Sequence, residues 1–129
     1  MGKFKILVVD DDVNLAFLLH QRLESEGFEV QSANSVTAGY LTYQSFKPDL
    51  VLTDISMGDE SGFDLMHRIR NETPRIKTIY MTSDLSRYRS ALEQERNQHH
   101  ATFLSKPFSE HNLLESISAR VQGRDQIAA

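Results

Sequence analysis

The stretch Lys5-Ile6-Leu7-Val8-Val9-Asp10-Asp11-Asp12 holds an apolar run of four that stops at three aspartates. Leu50-Val51-Leu52-Thr53-Asp54 repeats the pattern and closes on a single aspartate. Neither run alternates polar with apolar residues. A continuous apolar run marks a strand covered on both faces, as in a parallel sheet between helix layers. Two more runs follow: Ile79-Tyr80-Met81 closed by Thr82, and Phe103-Leu104, closed after Ser105 by Lys106-Pro107. Helix-like segments lie between the runs. In an open parallel sheet, ligands bind outside the carboxyl ends of the strands. Asp10, Asp11, Asp54, Thr82 and Lys106 therefore meet in one crevice.

Working outward, the chain reads as five strand–helix units. The first strand spans about Lys5 to Asp10. The helix after it carries Leu15, Leu18, Leu19 and Leu23 on one face, with Asp12 as its N-cap and Gly27 suited to C′. The second strand is about Phe28 to Ala33, and Ser35 caps a helix that ends before Lys47-Pro48. The third strand is about Asp49 to Asp54. The loop from Ser56 to Gly62 leads into a helix with Phe63, Met66 and Ile69 spaced by three. The fourth strand is about Lys77 to Thr82. The fourth helix, Ser86 to Gln98, offers only Tyr88, Ala91 and Leu92 as an apolar face, so it reads as short or loosely packed. The fifth strand is about Thr102 to Ser105. The last helix starts at Ser109 and packs through Leu113, Leu114, Ile117 and Val121. Residues 123–129 read as a frayed tail or the start of a linker.

The chain has 129 residues, which is one domain by size. It contains no cysteine, so neither disulfides nor thiolate chemistry is available. No apolar stretch approaches the ~20 residues of a membrane span, and no signal peptide is legible. These features point to a cytoplasmic protein. A net charge of −4 argues against a nucleic-acid surface. There is no G-x-x-x-x-G-K-[ST], no G-x-G-x-x-G and no H-E-x-x-H. His99-His100 reads as part of a solvated loop, and Tyr40, Tyr43 and Phe46 as packing residues.

The carboxylates have a chemistry of their own. Two like charges 4 Å apart repel by about 4 kcal/mol at an effective dielectric near 20. One aspartate at a strand end is an ordinary helix cap. Three in one crevice require neutralisation, and a hard divalent cation with oxygen ligands supplies it. A lone carboxylate beside such a cation can take a phosphoryl group as an acyl phosphate. Lys106 then brings positive charge to the phosphoryl oxygens, and Thr82 brings a hydroxyl donor. Phosphoryl transfer asks mainly for this kind of positioning and charge neutralisation.

The ordered set Val8-Val9-Asp10-Asp11-Asp12, Asp54 with Met57 and Gly62, Thr82-Ser83, and Phe103-Leu104-Ser105-Lys106-Pro107-Phe108 resembles the receiver domain of two-component response regulators. The resemblance covers about residues 3 to 122. It implies a flavodoxin-like (βα)5 fold, a three-layer sandwich with a parallel sheet of order 2-1-3-4-5. It implies phosphorylation of Asp54 by a histidine kinase or histidine phosphotransfer protein. It further implies Mg2+ (or Mn2+) held by Asp10, Asp11, Asp54 and the backbone carbonyl of Ser56. Thr82 and Phe103 would be the switch residues and Pro107 a cis-proline. An output partner or effector domain would read the face made by the fourth helix, fifth strand and fifth helix. Such a module is not an enzyme on outside substrates; it catalyses only its own phosphorylation and dephosphorylation.

The sequence departs from the family's usual pattern at Gly58, where proline is common, and at His100-Ala101, where many members carry Gly-Ala. Gly58 is expected to loosen the loop without removing a ligand. Two alternatives stand beside this reading. A haloacid-dehalogenase-like phosphatase would use Asp10-Asp11-Asp12 as its D-x-D element, but it needs a further acidic pair and leaves Asp54 idle. A phosphorylation-independent receiver-like interaction module would not need the intact five-residue set.

Overall fold

A computed structural model describes residues 2–128, and side chains through residue 121. Five parallel strands form the sheet: β1 (Lys5–Val9), β2 (Glu29–Ala33), β3 (Leu50–Asp54), β4 (Lys77–Thr82) and β5 (Thr102–Ser105). Their order is β2-β1-β3-β4-β5, with registers such as Ile6 to Leu50 and Asp54 to Met81. This is the flavodoxin-like arrangement expected. The helices are α1 (Val13–Ser25), α2 (Val36–Phe46), α3 (Gly62–Arg70), α4 (Leu85–His99) and α5 (Glu110–Ala128). The boundary read at 122, with 123–129 beyond it, falls where side chains lie outside the described residues. No helix among the described residues is long and apolar enough to cross a membrane.

The continuous apolar runs are explained by the pleat. Successive strand residues point to opposite faces. Leu7, Val9, Val51 and Tyr80 join one core cluster with α2, α3 and Leu92 of α4. Ile6, Val8, Leu50, Leu52, Ile79 and Met81 join the other with α1 and α5. Both faces of the central strands are therefore dry. Each fully buried Leu or Ile contributes about 1.5–3 kcal/mol.

Capping fixes where the helices start. Asp12 accepts from the Leu15 amide at 3.1 Å, Ser35 from Ala38 at 3.0 Å, and Ser109 from Asn112 at 3.0 Å. Gly27 takes φ +96° just past α1, a conformation favoured by glycine.

Two local features differ from the sequence reading. The fourth helix is not short: α4 runs for fifteen residues although only Leu92 is fully buried along it. A polar attachment supplements that thin apolar face. Glu95 reaches inward, pairing with Arg70 at 2.8 Å and accepting a hydrogen bond from the buried Tyr80 hydroxyl. The second feature is a two-residue antiparallel ladder after β3, Ser56–Met57 against Glu60–Ser61. Its turn places Gly58 at φ +69°. Proline, locked near −65°, cannot occupy that position. Gly58 thus forms a tight turn rather than a loosened loop.

Candidate functional site

The site lies at the carboxyl edge of the central strands. Asp10 follows β1, Asp54 ends β3, Thr82 ends β4, and Lys106 follows β5. One carboxylate oxygen from each of Asp10, Asp11 and Asp54 can be chosen so that all lie within 4.8 Å of one another. Asp10 is fully buried, Asp54 is 8% exposed, and Asp11 is exposed. Lys106 Nζ lies 2.8 Å from Asp10 Oδ2 and 3.4 Å from Asp54 Oδ1.

Each side chain has a local reason for its position. Asp10 Oδ1 accepts from the Asp12 amide at 2.9 Å, and its backbone carbonyl accepts from Asn34 Nδ2 at 2.9 Å. Asp54 Oδ1 accepts from the Ile55 amide at 3.0 Å. Below it, Thr53 Oγ1 donates to the Asp54 carbonyl at 2.9 Å. Gly62 begins α3 hard against that carbonyl: a Cβ there would stand 2.2 Å from the Asp54 oxygen. The Gly62 amide donates to Ile55 O at 2.7 Å, so the start of α3 is tied to the acidic edge. The Lys106 amide donates to Thr82 O at 2.7 Å, and the Lys106–Pro107 peptide is cis. Thr82 is buried, and its hydroxyl accepts from the Asp84 amide at 2.9 Å. Ser56 opens the small ladder two residues beyond Asp54. Phe103 is half-buried against the core cluster beneath α3 and α4.

The electrostatics follow from burial and charge count. Burial pushes the Asp54 carboxyl up to about 6, with Asp10 adding to the rise and Lys106 opposing it. Burial alone would lower the Lys106 ammonium, but the pairs with Asp10 and Asp54 outweigh it and its pKa rises. Three carboxylates face one ammonium. The donor set is all oxygen and leaves a formal excess of two negative charges, which suits a hard divalent cation.

Six residues predicted from sequence, Asp10, Asp11, Asp54, Ser56, Thr82 and Lys106, lie at this one edge. Phe103 lies on β5, three residues before Lys106, and packs against the core cluster. Sequence reading missed Asn34 and the contact made by Gly62. Asn34 has no motif of its own, and its bond to Asp10 exists only because β2 lies beside β1. The phosphatase alternative fits poorly: Asp54, idle in that scheme, lies at the centre of the cluster.

The family model for the response regulator receiver domain matches residues 6–118. The chain belongs to the response regulator receiver domain family. This receiver is 32% identical over 112 residues to the DNA-binding transcriptional regulator NtrC of a Bradyrhizobium species, covering 87% of this chain and 23% of that protein. It is similar in structure to a CheY-like receiver domain protein from Methanospirillum hungatei, with a TM-score of 0.86 and 28% identity, covering 97% of this chain and 98% of that one. It also resembles the response regulator TrrA from Thermotoga maritima, solved in complex with Mg2+-BeF, with a TM-score of 0.77 and 32% identity, covering 90% and 97%. The receiver spans from 23% to 52% of the length of the curated regulators it matches. A domain of this family is a phosphorylation-accepting signalling module.

Proposed function

We propose that Asp54 is the phosphoacceptor of this receiver and that a histidine kinase or histidine phosphotransfer protein is its donor. The observation that carries this is Lys106 Nζ bridging Asp10 and Asp54 at 2.8 and 3.4 Å, with negative charge left over. An Asp54 carboxylate oxygen attacks phosphorus, the P–N bond to the donor histidine breaks, and the imidazole leaves with the bonding pair. The product is an acyl phosphate. Lys106 binds the phosphoryl oxygens, and Thr82 donates its hydroxyl to one of them. Asp10, Asp11, Asp54 and the Ser56 carbonyl would hold Mg2+ or Mn2+, which supplies charge neutralisation when bound. Water later hydrolyses the acyl phosphate in the same site, so the domain's catalysis is confined to its own phosphorylation and dephosphorylation.

Switching in this reading runs from Thr82 to Phe103. The Thr82 hydroxyl now accepts from Asp84. It gains a charge-assisted bond by turning toward a phosphoryl group. That turn vacates space that the Phe103 ring can enter, and an output partner or effector domain on α4, β5 and α5 distinguishes the two ring positions. A partner shifts the equilibrium only by its differential affinity. The domain itself is taken as 3–122, with 123–129 as tail or linker, and its place as the cytoplasm. The similarity to DNA-binding regulators supports an output on DNA through a further domain. The absence of nucleic-acid contact argued from charge therefore applies to the receiver and not to a whole regulator.

Beryllofluoride with Mg2+ tests both parts by amide exchange. The parent should saturate and Asp54→Ala should not; occupancy in Asp54→Ala would remove Asp54 as acceptor. Exchange should change over 84–98 and 102–105, and less so in Thr82→Ala. Changes confined to the acidic loops would remove the switch.

A further inference from the structure

At the edge of the sheet opposite the aspartates, a cavity of about 580 Å³ opens where β4 begins and α4 ends. Sites for small organic ligands run roughly 300–1,000 Å³. Arg75, Lys77 and Arg120 line it, together with Pro74, Ile76 and the α4 terminus at His100, and among the described residues no carboxylate lines it. Three cations around one hollow, with no acid among the described lining residues, stand out in a chain whose net charge is −4.

The cations are available. Among the described residues, the side chains of Arg75 and Lys77 have no ion-pair or hydrogen-bond partner. Arg120 uses Nη1 to donate to the His100 carbonyl at 3.2 Å. That bond holds the guanidinium at the cavity, caps a carbonyl at the negative end of α4, and leaves further N–H donors unused. Glu72, three residues before Arg75, accepts from the Tyr40 hydroxyl, and Glu115, five residues before Arg120, pairs with His111. Pro74 is exposed and supplies apolar surface beside the charges, while Ile76 is buried in the core behind it. Guanidinium groups bind phosphate in a planar fork and stack on flat rings.

We propose that this cavity binds a small organic phosphate of the nucleotide class, with its phosphates against Arg75, Lys77 and Arg120 and its ring on Pro74. A concave hollow of this size does not follow the backbone of a duplex, which is read by an element inserted into a groove. The site is separate from Asp54 and does not depend on the phosphoacceptor assignment.

Calorimetric titration of the full chain with ADP in EDTA tests the proposal, since chelation removes metal-bridged binding at the aspartates. Saturable one-site binding is expected, with adenosine and inorganic phosphate each weaker by about tenfold or more. Arg75→Gln/Lys77→Gln should weaken ADP by about tenfold or more, the scale of lost charge-assisted bonds. That variant should keep the parent's circular dichroism and urea midpoint, which shows it is folded. If it does not fold, Arg120→Gln carries the same expectation. Asp54→Asn should leave ADP affinity within about twofold. No binding at millimolar ADP, equal affinity for inorganic phosphate, unchanged affinity in folded Arg75→Gln/Lys77→Gln or Arg120→Gln, or loss of binding in Asp54→Asn would overturn it.

Discussion

Two partly buried charged clusters are seen among the described residues of this small domain, and they differ in how their charge closes. At the carboxyl edge, Asp10, Asp11 and Asp54 face one ammonium from Lys106. Beneath α4, one carboxylate from Glu95 faces one guanidinium from Arg70 and one phenol from Tyr80. The second set balances. Burial raises the Tyr80 phenol further from ionisation, so it serves as a neutral donor. The first set does not balance, and the Asp54 acid, raised first by burial and then by the neighbouring Asp10, is pushed up to about 6. Burying charge is costly in both places. A charge-balanced pair recovers part of that cost and fastens a helix, although Arg70 Nε and Nη2 are buried without a hydrogen-bond partner among the described residues. An open cluster leaves charge for something else to complete.

Substitutions should separate the two clusters by sign. The largest effect belongs to the open one: Asp54→Asn should abolish phosphoryl incorporation, and Asp11→Ala should weaken Mg2+ by about tenfold or more, both read by titration and labelling. Next comes the closed one. Glu95→Ala strands the Arg70 guanidinium and the Tyr80 hydroxyl, and should destabilise the fold by about 2–4 kcal/mol in urea.

In metal-free buffer Asp54→Asn should act the other way, stabilising by about 1–2 kcal/mol at pH 7. The sign follows from linkage. The folded chain holds the Asp54 proton up to about pH 6, whereas the unfolded chain releases it near 3.8. The folded state therefore binds more protons between those values, and this residue's share of stability is lost as pH rises through them. Asp54→Asn should flatten that part of the pH profile. Two clusters that both lose stability on neutralisation would erase the distinction. The smallest effect is expected at the surface pair Arg22–Glu110, whose side chains are 41% and 55% exposed. Arg22→Ala should cost at most about 1 kcal/mol, and less in high salt.

The difference between the clusters also explains what the sequence could disclose. Asp10, Asp54, Thr82 and Lys106 are legible because each ends an apolar run, and a parallel sheet brings strand ends together. The order of the strands, and the proposal that Ser56 is a ligand, came only through family resemblance. The closed cluster was not legible. Arg70, Tyr80 and Glu95 belong to three different elements, and nothing in their local patterns marks them as partners. Without that pairing, the polar composition of α4 reads as a short or loosely packed helix; the thin apolar face is there, but the helix is not short. Gly62 is similar: its motif position was visible, but the 2.2 Å that a Cβ would leave to the Asp54 carbonyl depends on how α3 docks.

The most direct test of the open cluster is to map where a phosphoryl group goes. The chain is incubated with acetyl phosphate and Mg2+, the acyl phosphate is trapped by borohydride reduction, and the modified residue is located by mass spectrometry. The account predicts modification at Asp54 alone, dependent on the metal and absent from Asp54→Asn. Modification at Asp10, or equal incorporation in Asp54→Asn, would contradict it.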